Sequence, residues 1–519
     1  MSRGYRFVFV LSFMMGAGCV TPHDGEDAAD AVAQEAETQQ SVTTATTSLT
    51  LDDRIKKCKS DPRVVTGSVS VDICVGADLF LRETFNGNGR SCATCHRVDD
   101  NLTIDAKFIA TLPPSDPIFI AEHSNTLAKL EIPTQMRGRG LILENVDGLD
   151  NPTVKFVLRS VPHTLSMATS VTRAPGDTVN PPAERTGWSG DGAPGAGGLR
   201  DFQTGAITQH YTKNLARVAG RDFRLATSGE LDRIDTFMRA TGRTNELVLA
   251  SVVMTDPGAE AGRNAFLAVG CNACHSNAGA NAGFGGGGNR NFNTGVEASR
   301  NPGLASFPHD GGFLATPTNP DGSFGNGTFN APPLVEAADT GPFFHTDVSV
   351  TGASAHNTPT ATTIEEAIAF YDSPAFNTSP SGLLAPINLT AQQIDDIGRF
   401  LRGVNATFNA ALAVKRLDAT TKLITKFHNG QLAMQREMLR LAGVEIGDAI
   451  DVLYGVANLN ASALSLLNSA RASVDLARVT SSESTRTSAV NAARAAVLAV
   501  SGKVGSNLTY QIADGSVMF

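Results

Sequence analysis

Cys92-Ala93-Thr94-Cys95-His96 and Cys271-Asn272-Ala273-Cys274-His275 are two copies of one pattern, Cys-x-x-Cys-His. Two thiols three positions apart share one side of a helical turn. That spacing suits thioether bonds to the two vinyl groups of a porphyrin, and the His that follows falls beneath the iron as its axial ligand. Zinc is the competing occupant. A structural zinc takes four protein ligands, usually from two Cys pairs close together. Neither pair here has a second pair nearby, and a His follows directly in both. The pattern predicts two covalently bound c-type haems, one on Cys92, Cys95 and His96, the other on Cys271, Cys274 and His275.

The chain has 519 residues, enough for two or three domains, and its 41% hydrophobic content supports real cores. A net charge of −9 without any basic run argues against a nucleic-acid partner. Arg3 and Arg6 flank the apolar run from Phe7 to Met15, and Gly16-Ala17-Gly18 lead into Cys19. Residues 1–19 therefore read as a secretory signal. It is either an ordinary one or, given the small residues before Cys19, a bacterial lipoprotein signal with Gly16 where Leu is usual. The run is too short to span a bilayer. Export to the periplasm, or tethering at the outer membrane through a lipid anchor alone, is expected, and bacterial haem attachment outside the cytoplasm agrees with it. Cys58 and Cys74 are left over among the seven cysteines. In an oxidising compartment they are expected to pair, two free thiols being the alternative.

Residues 20–50 are acidic and rich in Ala, Thr, Gln and Ser, the composition of a disordered tether. Two cytochrome c-like haem domains with long loops are expected over 51–225 and 226–405, in a mainly α fold. A lead helix over Gly76 to Phe85 precedes the first motif, and Asp256-Pro257 opens another running to Val269 before the second. Thr227 with Glu230, Thr362 with Glu365 and Thr390 with Gln393 have the spacing of capping boxes. Leu199, Phe202, Ala206, Ile207, Tyr211 and Leu215 form a helical stripe. Gly- and Asn-rich residues 277–327 read as loops. Beyond 405 the composition changes. Leu432, Met438, Leu439 and Leu441, then Ile446, Ile450 and Leu453, predict a helical extension over 406–519, packed as a hairpin or small bundle and without a ligand-type cluster.

Four more segments follow in order: Arg159-Ser160-Val161-Pro162-His163-Thr164-Leu165, Gly187-Trp188-Ser189-Gly190, Thr340-Gly341-Pro342-Phe343-Phe344-His345, and Ile364-Glu365-Glu366-Ala367-Ile368-Ala369-Phe370-Tyr371. With the two haem motifs they make residues 76–405 resemble the bacterial di-haem cytochrome c peroxidases and their MauG-type relatives. The resemblance implies an enzyme that reduces hydrogen peroxide, or uses it to oxidise a substrate, with electrons passing between the haems. A small redox protein or an organic donor would supply those electrons. The only Trp, Trp188, stands where the family has an electron relay, a plain core aromatic being the alternative. Tyr371 aligns with the distal ligand of the second haem, which is Met in the peroxidases proper and Tyr in the MauG-like branch. A phenolate there favours oxidised iron; a Tyr packed in the core is the other reading. The family keeps a His near the haem at the position of His345, which is also a competing ligand. Arg159 is a candidate partner for a haem propionate, since a guanidinium grips carboxylate bidentately. The family holds a calcium between its domains; Thr340 and Pro342 offer carbonyls here, but Ser160 occupies the position of an Asn ligand.

One departure matters most. The family's catalytic Glu has no counterpart in Thr208-Gln209-His210-Tyr211-Thr212-Lys213, where His210 is the candidate substitute for moving protons. His123 and His163 are candidates for the far side of the first iron. Di-haem rubber oxygenases, which use dioxygen, keep the Trp and lack the Glu, and so form a second reading. A non-catalytic di-haem electron carrier is the third.

Overall fold

A computed structural model describes residues 49–145, 155–175, 177, 182–192, 195–284, 286–313, 325–353, 355–454 and 459–519. The expected signal and almost all of the expected tether lie outside the described residues. Thr50 starts the first helix, α1 (Leu51–Lys59), through a capping box with Asp53. Ser70 caps α2 (Val71–Arg82). The predicted lead helix thus lies several residues earlier than expected. It stops because the Glu83 carboxylate turns back to accept the Phe85 N–H at 2.8 Å, and Phe85 and Asn86 take positive φ. Arg54 reaches across from α1 to both Asp78 and Glu83, and the Cys58–Cys74 disulfide ties the same two helices.

The apolar stripe at 199–215 forms α3 (Leu199–His210), which ends before Leu215; that residue packs instead beside Ala121, Leu127 and Leu130. Thr227 and Glu230 cap α4 (Ser228–Arg239) as expected. α4 lies so close to α2 that any Cβ at Gly76 would strike the Arg233 carbonyl. Asp256 and Pro257 open α5 (Pro257–Ala268), which leads into the second Cys pair. The capping box expected at Thr362 is built by Thr363 and Glu366, because Glu365 is drawn the other way to a buried arginine.

Residues beyond 390 give four long helices: α6 (Ala391–Phe427), α7 (Leu432–Tyr454), α8 (Ala461–Val479) and α9 (Glu483–Val504). α6 packs on α7 and α9, and α8 closes the bundle against both of those. Met438, Leu439, Ile446 and Leu453 are fully buried there. Residue 405, where the sequence changes character, falls in the middle of α6. The first half of α6 walls α5, with Gly262 seated against the Asp396 carbonyl. Its Arg402 makes a bidentate pair with Glu365, both bonds 2.7 Å, and so pins the segment that ends at Tyr371.

The described strands make three antiparallel pairs: β1 (Leu141–Glu144) with β2 (Val157–Ser160), β3 (Val253–Met254) with β6 (Gly505–Ser506), and β4 (Asn291–Phe292) with β5 (Phe329–Asn330). The fold is mainly α. Through β6 the chain returns to the start of α5, and the terminal Phe519 packs edge-on to Phe237 of α4 and beneath Arg416 of α6. Thr47–Phe519 is one compact unit. No helix among the described residues is long and apolar enough to cross a membrane.

Candidate functional site

Cys92 begins a 3-10 turn after α2, whereas Cys271–Cys274 form a helical turn after α5, entered through Gly270 at φ +102°. All four thiols are unbonded. Burial pushes Cys92, Cys95 and Cys274 up to about 11 and Cys271 to about 12. The two motifs open into one cavity of about 350 Å³ with a largely apolar lining, and Trp188, His345 and Tyr371 line the same space.

Each motif histidine is oriented by a backbone carbonyl. His96 Nδ1 donates to Leu102 O at 3.0 Å, and His275 Nδ1 donates to Pro332 O at 3.0 Å. A carbonyl only accepts, so Nδ1 carries the proton and the Nε2 lone pair is left for a metal. Burial lowers both imidazoles to about 4, which keeps them neutral and ligand-competent. No group of three or more His, Cys, Asp or Glu side chains converges among the described residues, so neither Cys pair has a zinc ligand set. A haem iron needs none, because the porphyrin supplies the equatorial nitrogens and the protein only the axial ligands.

The motif-bearing segments are knotted together around Trp188. Its indole N–H donates to Ser160 O at 2.8 Å, and its carbonyl accepts from Asn330 N at 2.8 Å. Ser160 in turn donates from its amide to His345 O and from its hydroxyl to Phe344 O, at 2.8 and 2.5 Å. Three of the four scattered segments are thereby joined by hydrogen bonds. The fourth brings Tyr371, packed edge-on to Phe370 and Phe376, to the same cavity. The Tyr371 phenol is pushed well up by burial, and the neighbouring Cys274 and Cys271 add to the shift.

Arg159, the candidate propionate partner, is held by protein groups. Its guanidinium is buried and holds Asp310 through Nε and Nη2 at 2.5 and 2.9 Å, Glu144 through Nη1 at 3.0 Å and Ser189 at 2.7 Å. His210 ends α3 at the cavity wall. The Gln209 amide lies 3.1 Å from its Nε2, and its Nδ1 is buried without a partner. Burial lowers it to about 3. His163 also lines the cavity with an unpartnered Nδ1, whereas His123 is exposed on the surface and bonded to the Pro114 carbonyl. Orphaned imidazoles in a cavity shared by two Cys-x-x-Cys-His motifs fit a prosthetic group lying between them.

Glu144 was not visible in the sequence. β1 alternates, so Ile142 and Glu144 share the cavity face while Leu141 and Leu143 pack elsewhere. Burial raises the Glu144 carboxyl, with Arg159 opposing the shift and Asp310 adding to it. No spacing rule singles out a Glu that ends a four-residue strand; only the pairing with β2 turns it inward. Comparison of the chain with family models, with curated proteins and with solved structures found no match to any of them.

Proposed function

We propose that this chain is a di-haem c-type oxidoreductase that reduces hydrogen peroxide, or uses it to oxidise a substrate, with electrons passing between two haems. The observation that carries the proposal is the shared cavity: two Cys-x-x-Cys-His motifs, each with its His aligned by an Nδ1 hydrogen bond, and the sole Trp on the wall they share. Bound haem iron supplies one-electron chemistry and a coordination position for an oxygen ligand. Cys92 and Cys95, and Cys271 and Cys274, would tether it, and His96 and His275 would be its ligands. Trp188 would offer an aromatic stepping point, its N–H fixed on Ser160 O. Tyr371, on the lining of the same cavity, would be a further ligand candidate.

Proton handling falls to Glu144 and His210. Glu144 holds a proton more readily than an ordinary carboxylate because it is buried. It provides the cavity with the carboxyl that residues 208–213 lack, which supports peroxide chemistry over the dioxygen-using reading. The Cys58–Cys74 disulfide supports export to an oxidising compartment, with a lipid tether at Cys19. The direct test adds hydrogen peroxide to the diferric protein and follows absorption. A rapid spectral change is expected. No change contradicts the proposal, and a stable dioxygen adduct of the purified protein would move it to the oxygenase class.

A further inference from the structure

His345 is 1% exposed and held on both sides, stacked on Phe329 at 3.7 Å and edge-on to Trp188 at 6.4 Å between ring centroids. Its Nε2 meets Glu297 Oε1 at 2.8 Å. The other oxygen, Glu297 Oε2, meets His309 Nδ1 at 3.1 Å, and the His309 side chain is 44% exposed. Cavity and solvent are therefore joined by an imidazole, a carboxylate and an imidazole in unbroken hydrogen-bond contact. Imidazole and carboxyl groups both donate and accept protons, which amides and carbonyls on such a path do not.

We infer that His309, Glu297 and His345 form a proton relay feeding the cavity beside Trp188. The inference rests on the function proposed above. Reducing one hydrogen peroxide to two waters consumes two electrons, here from a redox protein or organic donor, and two protons. A proton taken from water at His309 passes from its Nδ1 to Glu297 Oε2; the carboxyl group then turns and gives it to Nε2 of His345, while His345, in its Nδ1–H tautomer, releases its Nδ1 proton to the peroxide and afterwards returns to that tautomer. Glu297 returns to a carboxylate, and a second passage supplies the second proton. Trp188 has no such path, because its N–H is donated to a carbonyl that takes up no proton. His163 and His210 each keep a ring nitrogen without a partner. Of the charges around the relay, Arg300 faces Glu297 itself and the others are held by their own pairs. Arg300 lies 3.9 Å from Glu297 Oε2, Asp310 is held by Arg159, which also carries Glu144, and Asp347 is paired with Arg139.

The experiment uses the haem-loaded full chain and the variants Glu297→Gln and His309→Ala. Proton uptake from unbuffered solution is followed with an indicator dye as peroxide is added. Native protein is expected to take up protons, both variants to do so at least tenfold more slowly, and dissolved imidazole to restore His309→Ala but not Glu297→Gln. Uptake at the native rate in Glu297→Gln overturns the relay while leaving the di-haem function intact. A loss in Glu297→Gln alone, with His309→Ala unaffected, also overturns it, leaving Glu297 as a residue that positions His345. No uptake by native protein carrying two haems removes the functional proposal itself.

Discussion

The two Cys-x-x-Cys-His motifs are alike in sequence and unlike in surroundings. The first sits on a 3-10 turn, and its His is aligned by Leu102, only six residues on, in a loop where Asn101 and Leu102 both have positive φ. The wall there carries polar groups among apolar ones: Tyr211 donates to Cys92 Sγ at 3.1 Å, and His210 and Arg90 stand beside Phe80 and Ile207. The second follows a full helix, and its His is aligned by Pro332, fifty-seven residues away. Its neighbours are aromatic and apolar, with Tyr371, Phe376 and Phe266 on the lining. The carbonyl that orients the histidine is thus local at the first site and distant at the second. Under the function proposed above, proton-dependent chemistry would fall to the first and electron storage to the second.

The comparison breaks most completely if one motif is removed. Cys271→Ser with Cys274→Ser should cut the intact mass by one haem and leave the first haem attached, because each motif carries its own tether. Loss of both haems would show that the sites do not assemble separately. Next in size is the proton chemistry assigned to the first site. Glu144→Gln should lower the rate of the peroxide reaction by about 10²–10⁴, the usual range for a general acid or base, with haem content unchanged. A native rate would remove Glu144 from the chemistry.

A smaller effect is expected at the disulfide, which braces only the helix leading to the first motif. Replacing Cys58 and Cys74 by Ser should cost about 3 kcal/mol of unfolding free energy, the loop-closure value for a loop of this size, read from denaturant midpoints. The smallest concerns Asp339, whose carbonyl accepts from Asn101 in the loop behind His96. Burial raises its carboxyl to about 7, Asn409 and Asn405 lowering it and Glu445 raising it. A carboxyl raised in the folded state makes folding less favourable as pH rises. That contribution is full below the ordinary aspartate value near 4 and is lost by about 7. Asp339→Asn should flatten the fall in stability across that interval. An unchanged slope would show that the group titrates normally.

The motif residues, the capping boxes at Thr227 and Thr390, the α3 stripe and the helices of the C-terminal extension were legible because each is a local pattern of fixed spacing. The box near 363 slipped by one residue because Glu365 is claimed by Arg402, thirty-seven positions away. Distance in sequence also hid Glu144, turned inward by pairing with β2, and the ion pairs that occupy Arg159. It hid the Glu297 link between His345 and His309, since that Glu lies in the loop-rich stretch where no periodicity operates. The role of 406–519 was unreadable for the same reason: only the folded chain shows that Val452 of α7 accepts a hydrogen bond from Arg402, the arginine that holds the Tyr371 segment in place.

Electron paramagnetic resonance of the fully oxidised, haem-loaded protein tests the inequality of the two sites most directly. The account predicts two ferric haems with different signals, one high-spin with an open position and one low-spin with two axial ligands. Two low-spin signals, or no haem signal at all from correctly exported material, would contradict it.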